Sequence, residues 1–252
     1  MSLSKAVIRP AFGFFLLPLS LLLAATPAFS ADSGIETLEQ ALAKHLPGTE
    51  ISQISESPIP GLYEVIVGAQ VVYMDQNARY MLDGNLVDLS SRVNYTEQAK
   101  SKIRLTAINA LGEENMLIYT PKKVDHTITV VTDIDCPYCR RLHNEMDQYM
   151  ASNVQVRYIF MPLKGKSDYD TTVSVWCAKN RNEALDLVKA GDKIKAQTCD
   201  NPIQRHLELA REIGVAGTPA IILESGEMLP GYVPAAKLVQ EMTNTQAKAA
   251  VN

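Results

Sequence analysis

Positive charge is scarce in this chain. Its 252 residues carry 24 lysines and arginines against 28 aspartates and glutamates, a formal net charge of −4. No basic run offsets this, and the aromatics, 6% of the chain, are scattered rather than interleaved with Lys and Arg. That balance argues against nucleic acid as a partner. Histidine is equally thin: His45, His126, His143 and His206 make no pair at ligand spacing. A structural zinc site needs four ligands, usually two close pairs, so no metal is expected. Nothing calls for a cofactor either. Gly165-Lys166-Ser167 resembles the end of a phosphate-binding loop, but the Gly required five residues earlier is Phe160. The sequon Asn94-Tyr95-Thr96 matters only in a eukaryotic secretory pathway.

Beyond residue 30 no stretch is long and apolar enough to cross a bilayer. The first thirty residues read instead as a signal peptide. Lys5 and Arg9 form a positive start, Ala11 to Ala25 an apolar run, and Ala28-Phe29-Ser30 a small-residue cleavage site, with the cut expected after Ser30. Residues 1–30 hold two basic and no acidic residues, so their removal takes the charge from −4 to −6. Export implies a compartment in which disulfides persist.

What remains is cysteine, and little of it. All four lie beyond the signal segment, at 136, 139, 177 and 199. Cys136-Pro137-Tyr138-Cys139 stands where a strand pattern hands over to a helix. A sulfur at a helix N-terminus has its thiolate stabilised by the dipole and by unpaired backbone N–H groups. Cys136 is therefore the candidate nucleophile, and Cys139, one turn further in, the candidate resolving thiol. Pro137 suits the first helical turn, since the N–H it lacks would have been unpaired there. Arg140 and Arg141 favour a Cys136 thiolate by charge, while Asp133 and Asp135 oppose it. His143 reads as a helix-surface or packing residue. Cys177 and Cys199 read as a structural disulfide, one of three connectivities open to four cysteines. The alternative is two reduced buried thiols. Closing that loop is worth roughly 3 kcal/mol in the chain-entropy model. Gly217-Thr218-Pro219-Ala220 precedes a strand. A cis bond before Pro219, an uncommon state for X–Pro, would expose the Thr218 backbone to an extended substrate.

Around these residues the periodicity changes twice. Ser33-Gly34-Ile35-Glu36 reads as a capping box, followed by Ile35, Leu38, Leu42 and Leu46 at helical spacing until Pro47-Gly48. Leu62 to Val67, Val71 to Met74, Tyr80 to Leu82 and Leu86 to Leu89 are β-like runs, the last three separated by turns at Asp75-Gln76-Asn77 and Asp83-Gly84. So small a unit is marginal alone, and its free edge invites a second copy. Thr96 to Leu111 reads as a polar helix ended by Gly112, a solvent-bridging connector rather than a core element. From Thr127 the pattern becomes α/β: a strand at 128–131, a helix at 136–150 and a strand at 154–161. Helices follow through 167–213 with breaks near Asn180, Gly191 and Pro202. Strands at 220–223 and 228–232 and a helix after Pro234 complete the order. The Ala- and Thr-rich tail beyond Met242 reads as fraying.

From about residue 33 to 243 the chain resembles the bacterial periplasmic disulfide isomerase family of DsbC and DsbG. The resemblance is carried by Asp135-Cys136-Pro137-Tyr138-Cys139 with Leu142-His143, by Trp176-Cys177-Ala178-Lys179, by Gly214-Val215 with Gly217-Thr218-Pro219-Ala220, and by Pro230-Gly231-Tyr232. It implies an α/β fold: a thioredoxin-like domain with a helical insertion, preceded by a small α+β (cystatin-like) dimerisation domain and a helical linker. The boundaries expected are 1–30 for the signal, 31–92 for the N-terminal domain, 93–115 for the linker and 116–252 for the catalytic domain. It further implies a V-shaped homodimer around an apolar cleft, a cis Pro219, misoxidised exported proteins as substrates, and a membrane reductase of the DsbD type as electron donor. Pro137 departs from the Gly usual in DsbC and matches DsbG, whereas the Cys177/Cys199 pair favours DsbC. Two alternatives to an isomerase follow: a DsbG-like reductase of oxidised single cysteines, and a dimeric holding chaperone with secondary redox activity. Pro137 and Tyr138 are expected to modulate the site, and Thr218 and Pro219 to form its substrate-binding loop.

Overall fold

Two sheets with opposite connectivity organise the chain, and one helix touches both. The computed structural model describes residues 31–249, so the expected signal segment lies outside the described residues. Helix α1 (Ala31–His45) crosses a four-stranded antiparallel sheet of order β1-β2-β3-β4: β1 (Gln53–Glu56), β2 (Leu62–Val67), β3 (Gln70–Asp75) and β4 (Met81–Asp83). Leu38 and Leu42 of α1 are buried against Tyr63, Val65, Val72 and Met74 on one face of this sheet. Ser33 is not the N-cap of a capping box, because the helix already runs from Ala31.

The β2 and β3 runs pair in full register, Leu62 opposite Asp75 through Val67 opposite Gln70. Between β3 and β4 the Asp75 carboxylate accepts hydrogen bonds from the backbone N–H groups of Arg79 and Tyr80, which closes the turn. The run at Leu86–Leu89 is not a strand; only a lone bridge joins Val87 to Asn94. The fourth strand is instead β1 at the edge opposite β4, a short polar segment without an alternating pattern that is held by pairing with β2.

Helix α2 (Tyr95–Leu111) starts at Asn94, whose side chain accepts from Glu97 N–H, and stops at Gly112, which has φ +79°. It is not a purely solvent-bridging connector. Ala99 and Ile103 pack on Ile66, Val71 and Tyr73 of the first sheet, and Ala107, Ile108 and Leu111 join the core of the second. So polar a helix has enough apolar residues for this because each half serves a different sheet. Arg104, also buried, donates to the Gly226 carbonyl at 3.1 Å. A Cβ at Gly226 would meet the Ser101 carbonyl oxygen at 2.4 Å, so the helix docks there only on glycine.

The second sheet has the order β5-β7-β6-β8-β9: β5 (Leu117–Tyr119), β6 (His126–Thr132), β7 (Val154–Phe160), β8 (Ala220–Ile222) and β9 (Met228–Pro230). β6 and β7 are parallel and the other pairs antiparallel. Ile128, Val130, Val154, Val156, Tyr158 and Phe160 form one buried face. On the other, Val131 and Ile159 meet α2 and α7 (Ile203–Glu212). Burial on both faces explains why β7 reads as a nearly continuous apolar run. The first face is covered by α3 (Pro137–His143), α4 (Met146–Ala151), α5 (Lys166–Trp176), α6 (Arg181–Ala190) and α8 (Ala235–Ala249).

The single helix expected over 136–150 is broken in two. Between α3 and α4 the Glu145 carboxylate turns to accept from Tyr232 OH and from Ala235 N–H, the latter at 2.7 Å at the start of α8. α8 continues to Ala249, past the point where the tail was expected to fray. Among the described residues no helix is long and apolar enough to cross a membrane.

Candidate active site

β6 ends inside the sheet and delivers Asp133, Ile134 and Asp135 to the start of α3. Asp133 is buried and acts as a clamp: its carboxylate accepts from Asp135 N–H at 2.7 Å and from Leu163 N–H at 3.1 Å. Asp135 points outward to Arg140 Nη2 and Lys164 Nζ, each at 2.8 Å. The Lys164 hydrogen bond is the main reason its carboxyl sits below the ordinary value.

Cys136 is the N-cap of α3, with extended φ −79° and ψ 126°, and Pro137 occupies the first helical position. The Cys136 carbonyl accepts from Arg140 N–H at 3.0 Å, closing the first turn. Its half-buried Sγ donates to the Thr218 carbonyl at 3.4 Å. Burial works to push this thiol up, but hydrogen bonds from Cys139 N–H, from the Thr218 side chain and from Tyr138 N–H outweigh it. The thiol therefore lies below its usual value. The lowering comes from hydrogen bonds at the helix start and from Thr218 rather than from arginine charge. Arg140 is engaged with Asp135, and the Arg141 guanidinium lies 4.7 Å over the Tyr232 ring.

Cys139 is 1% exposed. Burial raises its thiol, opposed by the charge of Lys189, by Asp133 N–H and by Thr132. The two sulfurs thus differ in kind: one within reach of solvent with a favoured anion, the other shielded with a disfavoured one. Such a pair can attack a disulfide with the first sulfur and close on itself with the second. Tyr138 is 61% exposed beside them.

The Thr218–Pro219 bond is cis. Half-buried Thr218 faces Cys136, and the Pro219 carbonyl accepts from Gly231 N–H at 2.8 Å. The structure therefore brings Cys136, Pro137, Tyr138, Cys139, Thr218 and Pro219 together. Cys177 and Cys199 are bonded to each other, with Cα atoms 5.7 Å apart, tying the end of α5 to the segment before α7. His143 is a packed residue: Nδ1 meets Tyr158 OH at 3.1 Å and Nε2 meets Asp186 at 2.9 Å. Among the described residues no group of three His, Cys, Asp or Glu side chains could hold a metal ion.

Sequence reasoning missed Thr132, Lys164 and Lys189, and treated Asp133 only as an opposing charge. Lys189 left a trace. It follows Leu185 by one turn on a helix whose buried residues include Ala184, Leu185 and Val188, so helical spacing puts its amine on an apolar face.

Residues 24–97 match the disulfide bond isomerase N-terminal domain, and residues 113–246 a thioredoxin-like domain. The thiol:disulfide interchange protein DsbC of Escherichia coli (strain K12) is 37% identical over 84% of this chain and 89% of its own length. DsbC of Salmonella typhimurium is 37% identical over 84% of this chain and 88% of its own. A solved disulfide interchange protein from Neisseria gonorrhoeae aligns with TM-score 0.47 and 23% identity, over 52% of this chain and 96% of that one. With both domain models matched and more than a third of the aligned residues shared with curated relatives over most of both lengths, the chain belongs to the DsbC family of thiol:disulfide interchange proteins.

Proposed function

We propose that this protein rearranges incorrect disulfides in exported proteins of the bacterial periplasm. Cys136 is the nucleophile. Its thiolate attacks a client disulfide and forms a mixed disulfide, and the client's other sulfur leaves with the bonding electron pair. Either that client thiolate attacks elsewhere and displaces Cys136, which is isomerisation, or Cys139 displaces the client and leaves it reduced. The second branch oxidises the Cys136–Cys139 pair, so a reductant must return two electrons. A membrane thiol reductase of the DsbD type fits that role. Thr218 and Pro219 form the surface on which the extended client strand lies, with Pro137 and Tyr138 tuning and flanking the thiol.

The observation that carries this reading is the Cys136 sulfur at the helix start, with a lowered pKa and the Thr218 carbonyl beside it. Reactivation of scrambled ribonuclease tests it. Wild-type protein restores activity, Cys136→Ser does not, and Cys139→Ser accumulates mixed disulfides on non-reducing gels. Equal reactivation by wild type and Cys136→Ser would defeat the proposal. Pro137 favours one further reading, a DsbG-like reductase of single oxidised cysteines. It predicts fast reduction of a protein sulfenic acid with poor ribonuclease reactivation.

The domain boundaries that go with this reading are 31–92, 93–115 and 116–252. The protein works as a homodimer through the edge of its first sheet. β4 is that edge, and Tyr80, Met81 and Leu82 are 62%, 60% and 57% exposed. A short apolar edge with unpaired backbone groups is a template for a second copy.

A further inference from the structure

We infer that Lys189 is a positioning residue for the second thiol: its buried amine, hydrogen-bonded to the loop that carries the cysteines, favours the Cys139 thiolate at the step that resolves a mixed disulfide. This deepens the proposed function and rests on Cys139 being the resolving thiol.

Lys189 is 2% exposed on α6. Its Nζ donates to Thr132 Oγ1 at 2.8 Å and to the Asp133 carbonyl at 2.7 Å. Both acceptors are neutral, and the Asp133 carboxylate acts on the amine through its charge alone, more weakly than Cys139 does. A buried ammonium with no carboxylate in direct contact is costly, by several kcal/mol even after relaxation. Two hydrogen bonds would hold the loop equally well from an uncharged donor, so the charge calls for another account. The ionisable and charged groups around it are Asp133 and Asp135 in the loop and Cys136, Cys139, Arg140 and His143 at α3. Burial lowers Lys189 to about 8, and among the groups that oppose this Cys139 has the largest effect. Lys189 is in turn the largest influence offsetting the burial of Cys139. The two groups are complementary: a buried cation that no carboxylate touches directly, and a thiol whose anion lacks solvent.

In the resolving step Cys139 gives its proton to water, and the thiolate so formed is held beside the Lys189 ammonium. Its lone pair attacks Cys136 Sγ, the Cys136–Cys139 bond forms and the Cys136–client bond breaks. The electron pair leaves on the client sulfur, which then takes up a proton. Over attack and resolution together the cysteine pair is oxidised by two electrons and the client disulfide is reduced by two.

Stopped-flow reaction with an aromatic disulfide that releases thionitrobenzoate separates the two thiols. The first release reports attack by Cys136 and the second reports displacement by Cys139. Lys189→Met should slow the second release about tenfold at neutral pH and move its pH profile alkaline by about one unit, equivalent to about 1.4 kcal/mol. The first release should keep its profile. Lys189→Arg, retaining the charge, should recover most of the lost rate. An unchanged second release, or an equal slowing of both phases, overturns the inference. Should Lys189→Met fail to fold, Lys189→Gln keeps a donor to the loop without the charge and reads the same two phases. Cys139→Ser separates the two levels: a second release surviving in that variant sinks the reading of Cys139 itself, not only that of Lys189.

Discussion

A buried side chain can make a folded state sensitive to pH even when it takes no part in chemistry, and His206 does so here. Its Nδ1 accepts from Phe160 N–H at 3.2 Å and its Nε2–H donates to the Asn115 carbonyl at 2.6 Å. Both nitrogens are in use, and the accepting one has no room for a proton. Burial lowers the group to about 4 from an ordinary 6.5. The sign follows: below pH 6.5 the unfolded chain binds a proton that the folded chain refuses until about pH 4. His206 therefore costs nothing at neutrality, and its penalty grows as pH falls through that window to about 3 kcal/mol. Urea unfolding of wild type and His206→Gln at neutral pH and near pH 4.5 checks this. The wild type should lose more stability between the two pH values than the variant does. Parallel losses would contradict it. The cysteines obey the same local logic with the opposite consequence. At Cys136 hydrogen-bond donors exceed the cost of burial, and at Cys139 they do not.

Among the elements, the inserted helices stand apart because a covalent bond closes them. Cys177–Cys199 spans 22 residues, and its removal in the double variant Cys177→Ser, Cys199→Ser should cost roughly 3 kcal/mol in urea unfolding. Attack by Cys136 should proceed unchanged, since neither sulfur belongs to the thiol pair. A loss under about 0.5 kcal/mol would mean the insertion is held by packing alone. Most elements here were legible in the sequence, for identifiable reasons. Asn180 and Gly191 mark helix ends by capping chemistry and Pro202 by its ring, and all three stand at helix ends in the structure. β6 and β7 declare themselves by β-branched and aromatic runs. The failures have causes of another order. β1 carries no periodic signal and exists because β2 offers it a partner. The break between α3 and α4 depends on Glu145 meeting Tyr232 and Ala235 from far along the chain. α2 looked too polar for a core because its apolar residues are divided between two sheets. The thiol pair and the Thr218-Pro219 loop could be named from the sequence, and the cis bond in that loop only through the family resemblance. Lys189 could not, since its role exists only where α6 packs against the loop after β6.

On the scale of the whole molecule, α2 is the joint. It packs its first half on one sheet and its second half on the other, and Arg104 ties it to the β8–β9 turn. The orientation of the two sheets is therefore fixed by side-chain contact. If the β4 edge pairs with a second copy, Tyr80→Asp with Leu82→Asp should give a monomer by light scattering at micromolar concentration, with the Cys136 reaction intact. A dimer persisting in that variant would move the interface elsewhere, and a monomeric wild type would remove it altogether. The proposed exchange chemistry depends on the ionisation of one sulfur. Alkylation of Cys136 followed across pH, in reduced protein carrying Cys139→Ser, measures it most directly. The Cys136 rate should level off below the ordinary thiol range of about 8.5, while Cys139 in the companion Cys136→Ser variant stays unreactive until higher pH. A Cys136 profile centred at or above that ordinary value would contradict it.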